Sequence, residues 1–503
     1  MKKLLSMALT LALALVCLTG LTPALADKAN DTLVLIPYAI NQGFDPNNSN
    51  ASCDKITSHA LFAFLWDYDE NGNAAPSLVD SWTESEDGTY LMCTLRDDVT
   101  FTDGTPFNAD VVIACYESAL ASEYMGYTTK SVVDKIEKVD DYNINMYKGA
   151  SYSSIPVYCC EYMPMFSPEA YEAEDHFAKT VVSAGPYVLD RFDEVTNYVY
   201  MKANPDYFRG EPAIKNVEVR VPLDSAVALV SLETGESQIS CITLSNADIQ
   251  IAADEGCPVY TGSGWSTKTL LLWGEPFLND DNLRLAINYG VNRVNAAIYN
   301  GQENTEPCGD YYAEKLMGSF AGKTEMIGYD PEKAAEYLAN SNYDGSTLEI
   351  NLTSDQEPVA VSIQADLMAL GINTQINTMD ENTWWGKIEN ASCQMAILDF
   401  GVAYSAPEEM LSYFTTDGYY GALGLCKSNA EYDENLAKAA QAWNADEREP
   451  YTLAAIKASM ELSYYIPLFD CGFSIVASPD VVGVEDVWAA TYNYHLWKLS
   501  WAK

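Results

Sequence analysis

Positive charge is scarce in this chain. Only 28 Lys and Arg stand against 72 Asp and Glu in 503 residues, a formal net charge of -44. A nucleic-acid binder needs a basic stripe to meet phosphates, and none can be built from this balance. Docking on an anionic membrane surface is disfavoured for the same reason. Histidine is scarcer still: His59, His176 and His495 are too scattered for a metal site or a catalytic triad. The 12 cysteines include no CxxC pair and no Cys/His cluster with zinc spacing. The vicinal pair Cys159-Cys160 reads as two buried small residues. Beyond the N-terminus, no apolar run approaches the roughly 20 residues needed to span a bilayer. No GxSxG or HExxH motif, internal repeat or low-complexity stretch is present.

What is present suits a large folded body. Hydrophobic residues make up 48% and charged residues 20%, enough to bury a sizeable core. The length fits two to four domains, or one large body with insertions. Met1 to Ala26 reads as an export signal. Lys2 and Lys3 form its positive start, Leu4 to Leu21 is mostly apolar, and Ala24-Leu25-Ala26 is a small-x-small cleavage site. Cleavage near Ala26 and an extracytoplasmic location are expected. A lipid anchor at Cys17 is the weaker reading, because Val16 before it is larger than a lipoprotein peptidase prefers; an uncleaved anchor is the other alternative. Loss of Cys17 leaves an odd number of thiols in a compartment that permits disulfides.

Hydrophobic patterning predicts alternating strands and helices. Strands are expected at Thr32–Ile36, Tyr90–Leu95, Tyr198–Lys202, Leu348–Leu352 and Ile466–Phe469. Helices are expected at Ile56–Trp66, Ala109–Leu120, Asp280–Tyr299, Val359–Leu370 and Glu434–Trp443. Asn108 and Asp330 are candidate N-caps, and Gly371 a stop. Glu86-Asp87-Gly88 marks a hairpin turn. The alternation indicates an α/β protein with more than one lobe.

Several segments, in order along the chain, resemble one family. Pro76-Ser77-Leu78-Val79-Asp80-Ser81-Trp82 looks like "P-x-L-A-x-S-W". Asp103-Gly104-Thr105-Pro106-Phe107-Asn108-Ala109-Asp110-Val111 resembles "DGtPftAeDV". Ser183-Ala184-Gly185-Pro186-Tyr187, Ala203-Asn204-Pro205-Asp206-Tyr207-Phe208 and the run Arg284 to Arg293 resemble further motifs of the same set. The family is the oligopeptide/dipeptide-binding group (family 5) of the extracytoplasmic solute-binding proteins of ABC importers. The resemblance implies a type II periplasmic-binding-protein-like fold of two α/β lobes with an additional inserted α/β domain. Carried onto this chain, lobe I is 27–54, 181–262 and 470–503, the inserted domain is 55–180, and lobe II is 263–469. It also implies hinge closure on a solute and delivery to a membrane permease by a protein acting as a monomer. No catalytic residue, metal or cofactor is implied.

One departure bears on the solute. Peptide-binding members carry an Asp in an "ADYxxP" segment that meets the peptide's α-ammonium group. Here the segment is Phe400-Gly401-Val402-Ala403-Tyr404-Ser405-Ala406-Pro407, with Ala403 at the Asp position. Asp399 or Glu408 is the available substitute. Candidate cleft residues are Asn41 and Gln42 after the first strand, Trp265, Trp384 and Trp385, and Asp399, Phe400 and Tyr404 around the altered segment. A peptide or peptide-like solute is the leading expectation. An oligosaccharide or cationic metabolite is the alternative, followed by a secreted hydrolase, for which the sequence singles out no carboxylate pair. A receptor presenting its solute to a sensor would share the fold.

Overall fold

The computed structural model describes residues 31–37, 43–47, 54–69, 74–122, 125–149, 155–173, 176–177, 179–221, 223–241, 244–300, 308–401, 407–442, 445–490 and 493–502. The elements that position the site follow in chain order. Strand β1 is Thr32–Ile36 and helix α1 Asp54–Leu61. Strands β2 (Val79–Glu84) and β3 (Tyr90–Leu95) form the expected hairpin, and helix α2 (Ala109–Ala121) follows. Next come β4 (Val133–Asp140), β5 (Asn143–Lys148) and α3 (Ile155–Glu161). Then come β6 (Tyr187–Asp193), β7 (Tyr198–Ala203), β8 (Asn216–Val219), β9 (Ile239–Cys241) and the long β10 (Val259–Leu272). Helices α4 (Asp281–Gly290) and α5 (Arg293–Tyr299) lead to β11 (Leu348–Leu352), α6 (Glu357–Leu370), β12 (Thr374–Thr378), α7 (Glu381–Glu389) and β13 (Met395–Gly401). Helices α8 (Ala430–Gln441) and α9 (Ala445–Leu462) precede β14 (Tyr465–Ala477).

Ten strands share one sheet, in the order β6-β7-β8-β1-β9-β14-β10-β13-β11-β12. One lobe is built around β1, which pairs in parallel with β8 and β9. The other is built around β11, which pairs in parallel with β12 and β13. The antiparallel pair β10 and β14 joins them. A separate four-stranded sheet, β2-β3-β5-β4, lies in the segment between β1 and β6.

The joining strands change register where their outer partners change. Val259 to Ser263 pair with Val476 to Gly472, and the pairing resumes at Ser266 with Cys471. From Ser266 onward β10 also pairs with β13. Gly264 sits in that break. A Cβ there would lie 1.9 Å from the Cys471 carbonyl oxygen, so only glycine lets the strands approach so closely.

Local signals in the sequence explain many boundaries. Asn108 caps α2 by accepting from the Val111 amide, and Asp330 caps the helix Pro331–Ala339 in the same way. Gly371 ends α6 in the left-handed conformation. Trp82 packs edge-on against the buried Trp66 in the core below the hairpin. Two expectations need correction. The helix expected over Ile56–Trp66 ends at Leu61, and Phe64 lies in a short strand paired with Pro164. Ile56, Ala60 and Phe64 are all buried, so burial rather than one helical face explains their spacing. The single helix expected over Asp280–Tyr299 is two helices. Asn292 breaks it by accepting from the Val294 and Asn295 amides as the cap of α5, which leaves Val294 exposed.

The C-terminal segment is clamped by charge. His495 Nε2 lies 2.6 Å from Asp67 Oδ1, and Arg209 Nη1 2.5 Å from Oδ2. Burial opposes the charge on Asp67, but these two partners hold its carboxyl well below the usual carboxylate range. The described cysteines, Cys159 and Cys160 among them, all carry free thiols. No helix among the described residues is long and apolar enough to cross a membrane. The expected export signal and Cys17 lie outside the described residues.

Candidate solute site

Three parallel strands end side by side. At the carboxyl ends of β11, β12 and β13 the chain leaves the sheet, and ligands of open α/β sheets bind at such edges. Here the edge encloses a cavity of about 640 Å³. The turn after β11 contributes Thr353 to Gln356, the turn after β12 Met379 and Asp380, and the end of β13 Leu398 to Gly401. Trp384 and Trp385 come from α7, while Met410, Tyr413 and Tyr420 close the floor.

The two tryptophans differ in their placement. Trp384 is only 5% exposed, and its indole N–H donates to the Asn351 carbonyl at 3.1 Å. Trp385 packs edge-on against it with ring centroids 4.9 Å apart, yet is 38% exposed. The first ring is therefore an anchored wall, and the second can meet a solute. Phe400 is buried among Tyr413, Phe414, Tyr420 and Tyr465, with centroids 5.4 to 6.2 Å away.

Charge in the cavity is mostly negative. Asp355 and Asp380 are exposed. The Thr353 hydroxyl donates to Asp355 at 2.6 Å. Asp380 caps α7 through the Thr383 amide and hydroxyl. Asp399 Oδ1 lies 2.5 Å from the ammonium of the buried Lys268 and accepts from the Cys471 thiol at 3.3 Å. The Asp399 side chain nevertheless stays 49% exposed. Burial opposes the charge on Lys268, but Asp399 beside it outweighs that cost and raises the ammonium above its ordinary value. Acidic groups beside exposed aromatic faces suit a cationic group on the solute.

Residues 73–422 match the sequence model of the bacterial extracellular solute-binding proteins, family 5 (middle region). The chain belongs to this family. The binding protein is 25% identical over 400 residues to di/tripeptide-binding protein 2 of Pseudomonas aeruginosa, covering 71% of this chain and 73% of that one. Its fold superposes on the ABC transporter substrate-binding protein CtaP of Listeria monocytogenes with a TM-score of 0.82 at 20% identity, covering 94% and 99% of the two chains. It also matches DppA of Helicobacter pylori in complex with the peptide STSA, with a TM-score of 0.78 at 20% identity over 94% and 98%. These relatives are solute-binding proteins rather than enzymes.

Of the residues proposed from sequence, Trp384, Trp385, Asp399 and Phe400 meet in the binding protein's cavity. Trp265 lies in β10 inside the register break, with its side chain outside what is described. Asn41, Gln42 and Tyr404, like Ala403, fall outside the described residues. Glu408 is fully buried instead, accepting from the Thr452 hydroxyl at 2.5 Å with Arg448 at 3.9 Å. It serves helix packing, not the cavity. Sequence reasoning missed Asp355, Asp380, Lys268, Tyr413 and Tyr420. Asp380 carried a usable signal, an acid between a strand end and a helix start.

Proposed function

We propose that this binding protein captures a peptide, presents it to an ABC permease from outside the cytoplasm, and works as a monomer. The observation that carries the reading is the half-exposed Asp399 carboxylate in an aromatic, acidic cavity at the strand ends. With Ala403 in place of the family's Asp, Asp399 and Asp355 receive the peptide's α-ammonium group by charge-assisted hydrogen bonding. Trp385 lies along the peptide as an apolar face. The lobes are those read from sequence: 27–54, 181–262 and 470–503 for the first, 263–469 for the second, and 55–180 for the inserted domain. The register break at Ser263/Ser266 supports a hinge at the first of these crossings. The same acidic, aromatic chemistry favours a cationic metabolite as the second reading.

Thermal unfolding with solute pools tests this. A ligand at 100 times its dissociation constant adds about 2.7 kcal/mol. A pool of di- to hexapeptides is expected to raise the midpoint. A shift with oligosaccharides or cationic metabolites alone would replace the peptide reading.

A further inference from the structure

The four-stranded sheet touches the helical layer of the second lobe. Lys148 ends β5, and its Nζ donates to the Ala440 carbonyl at 3.2 Å and the Ala442 carbonyl at 3.1 Å. These carbonyls terminate α8, whose last N–H bond runs from Ala442 to Ala439. A helix C-terminus leaves carbonyls without intrahelical partners and carries partial negative charge, so a lysine head is its natural complement. The two segments are 292 and 294 residues apart in sequence. The sheet that carries Lys148 shares no strand with the ten-stranded sheet, and α8 packs on α9, which runs into β14. Burial weighs most against the charge on Lys148 and Arg448 adds to it, so the ammonium is held below its ordinary value although Glu408 and Glu84 favour it.

We infer that Lys148 is a positioning residue for closure: its bonds to the end of α8 form when the lobes are closed and bias the solute-free protein toward that state. The inference rests on the two-lobed hinge reading above, with the inserted domain moving with the first lobe. The chemistry suits a reversible contact. An ammonium and a helix end are both satisfied by water when they part. An equilibrium shifts only by the difference in interaction between its two states, and this contact supplies such a difference without touching solute.

Small-angle X-ray scattering of the solute-free mature protein tests it. Lys148→Met is expected to raise the radius of gyration above wild type, and Lys148→Arg, which keeps the charge, to stay near wild type. Thermal unfolding of each variant checks that it is folded, with Lys148→Gln as a second neutral replacement. Identical scattering for wild type and the neutral variants, whether compact or extended, overturns the inference. No solute is present, so this result stands apart from whether peptides bind.

Discussion

Lys268 Nζ lies 2.5 Å from Asp399 Oδ1, and the two residues face each other directly across the β10–β13 register. The lysine is buried and the aspartate half exposed. The pair therefore holds an acid in place at the cavity mouth while drawing off part of its charge. Substitutions at the two positions should act in opposite directions. Asp399→Asn removes a charged hydrogen bond worth about 1.5–3 kcal/mol and should weaken peptide binding about 10- to 100-fold. Lys268→Met keeps the volume and releases the acid, so affinity for a cationic solute should rise. Calorimetric titration of both variants checks the contrast; losses of equal size in both would contradict it.

The adjacent tryptophans should separate stability from binding. Trp384→Ala empties a buried site and should cost about 3–5 kcal/mol of stability. Trp385→Ala should leave the unfolding midpoint nearly unchanged and cost about 1–2 kcal/mol of solute affinity. Urea unfolding and titration of each variant read the two effects independently.

Gly264 should tolerate no side chain. Gly264→Ala places a methyl group against the Cys471 carbonyl oxygen, so β10 and β14 must move apart. A loss of about 1–3 kcal/mol is expected in denaturant unfolding. Wild-type stability in this variant would remove the close approach from the account.

A buried charge cluster predicts a pH dependence. Glu161 is 1% exposed, with Lys55 Nζ 3.7 Å and His59 Nε2 3.9 Å from its carboxylate. Burial raises the Glu161 pKa to about 7, and burial with Lys55 lowers His59 to about 4. From about pH 4.5 to 7 native Glu161 keeps a proton that the unfolded chain has lost, so its contribution to stability falls as pH rises. His59 contributes the opposite slope between about pH 4 and 6.5, because there the unfolded chain binds the extra proton. Glu161→Gln deletes the first slope and keeps the second. Its midpoint relative to wild type should therefore climb from pH 4.5 to 7; a flat difference would contradict the assignment.

Much of the fold was legible where local chemistry decides it. Leu348–Leu352 reads as a strand from its composition and is one. Asn108, Asp330 and Gly371 mark helix ends because caps act within one turn. Of the two long joining strands, only the stretch Ile466–Phe469 in β14 reads as a strand from sequence. The first half of β10 holds Gly262, Ser263 and Gly264, poor strand formers whose pairing comes from β14 some 200 residues later. In the site, Trp384 and Trp385 stood out as paired aromatics that follow a strand, and Asp399 and Phe400 because they adjoin the segment that departs from the family motif. Asp355 did not, since an acid in a turn is ordinary, and the signal at Asp380 marks a helix cap rather than a cavity; only the parallel pairing of β11 with β12 and β13 brings their turns together.

The central claim is that an acid at the strand ends holds a peptide's ammonium group. Isothermal titration of the mature protein with a tripeptide and with its N-acetylated form tests it most directly. The account predicts binding of the free peptide, loss of at least about tenfold on acetylation, and little further effect of acetylation in Asp399→Asn. Equal binding of the two peptides, or binding of neutral oligosaccharides alone, would contradict it.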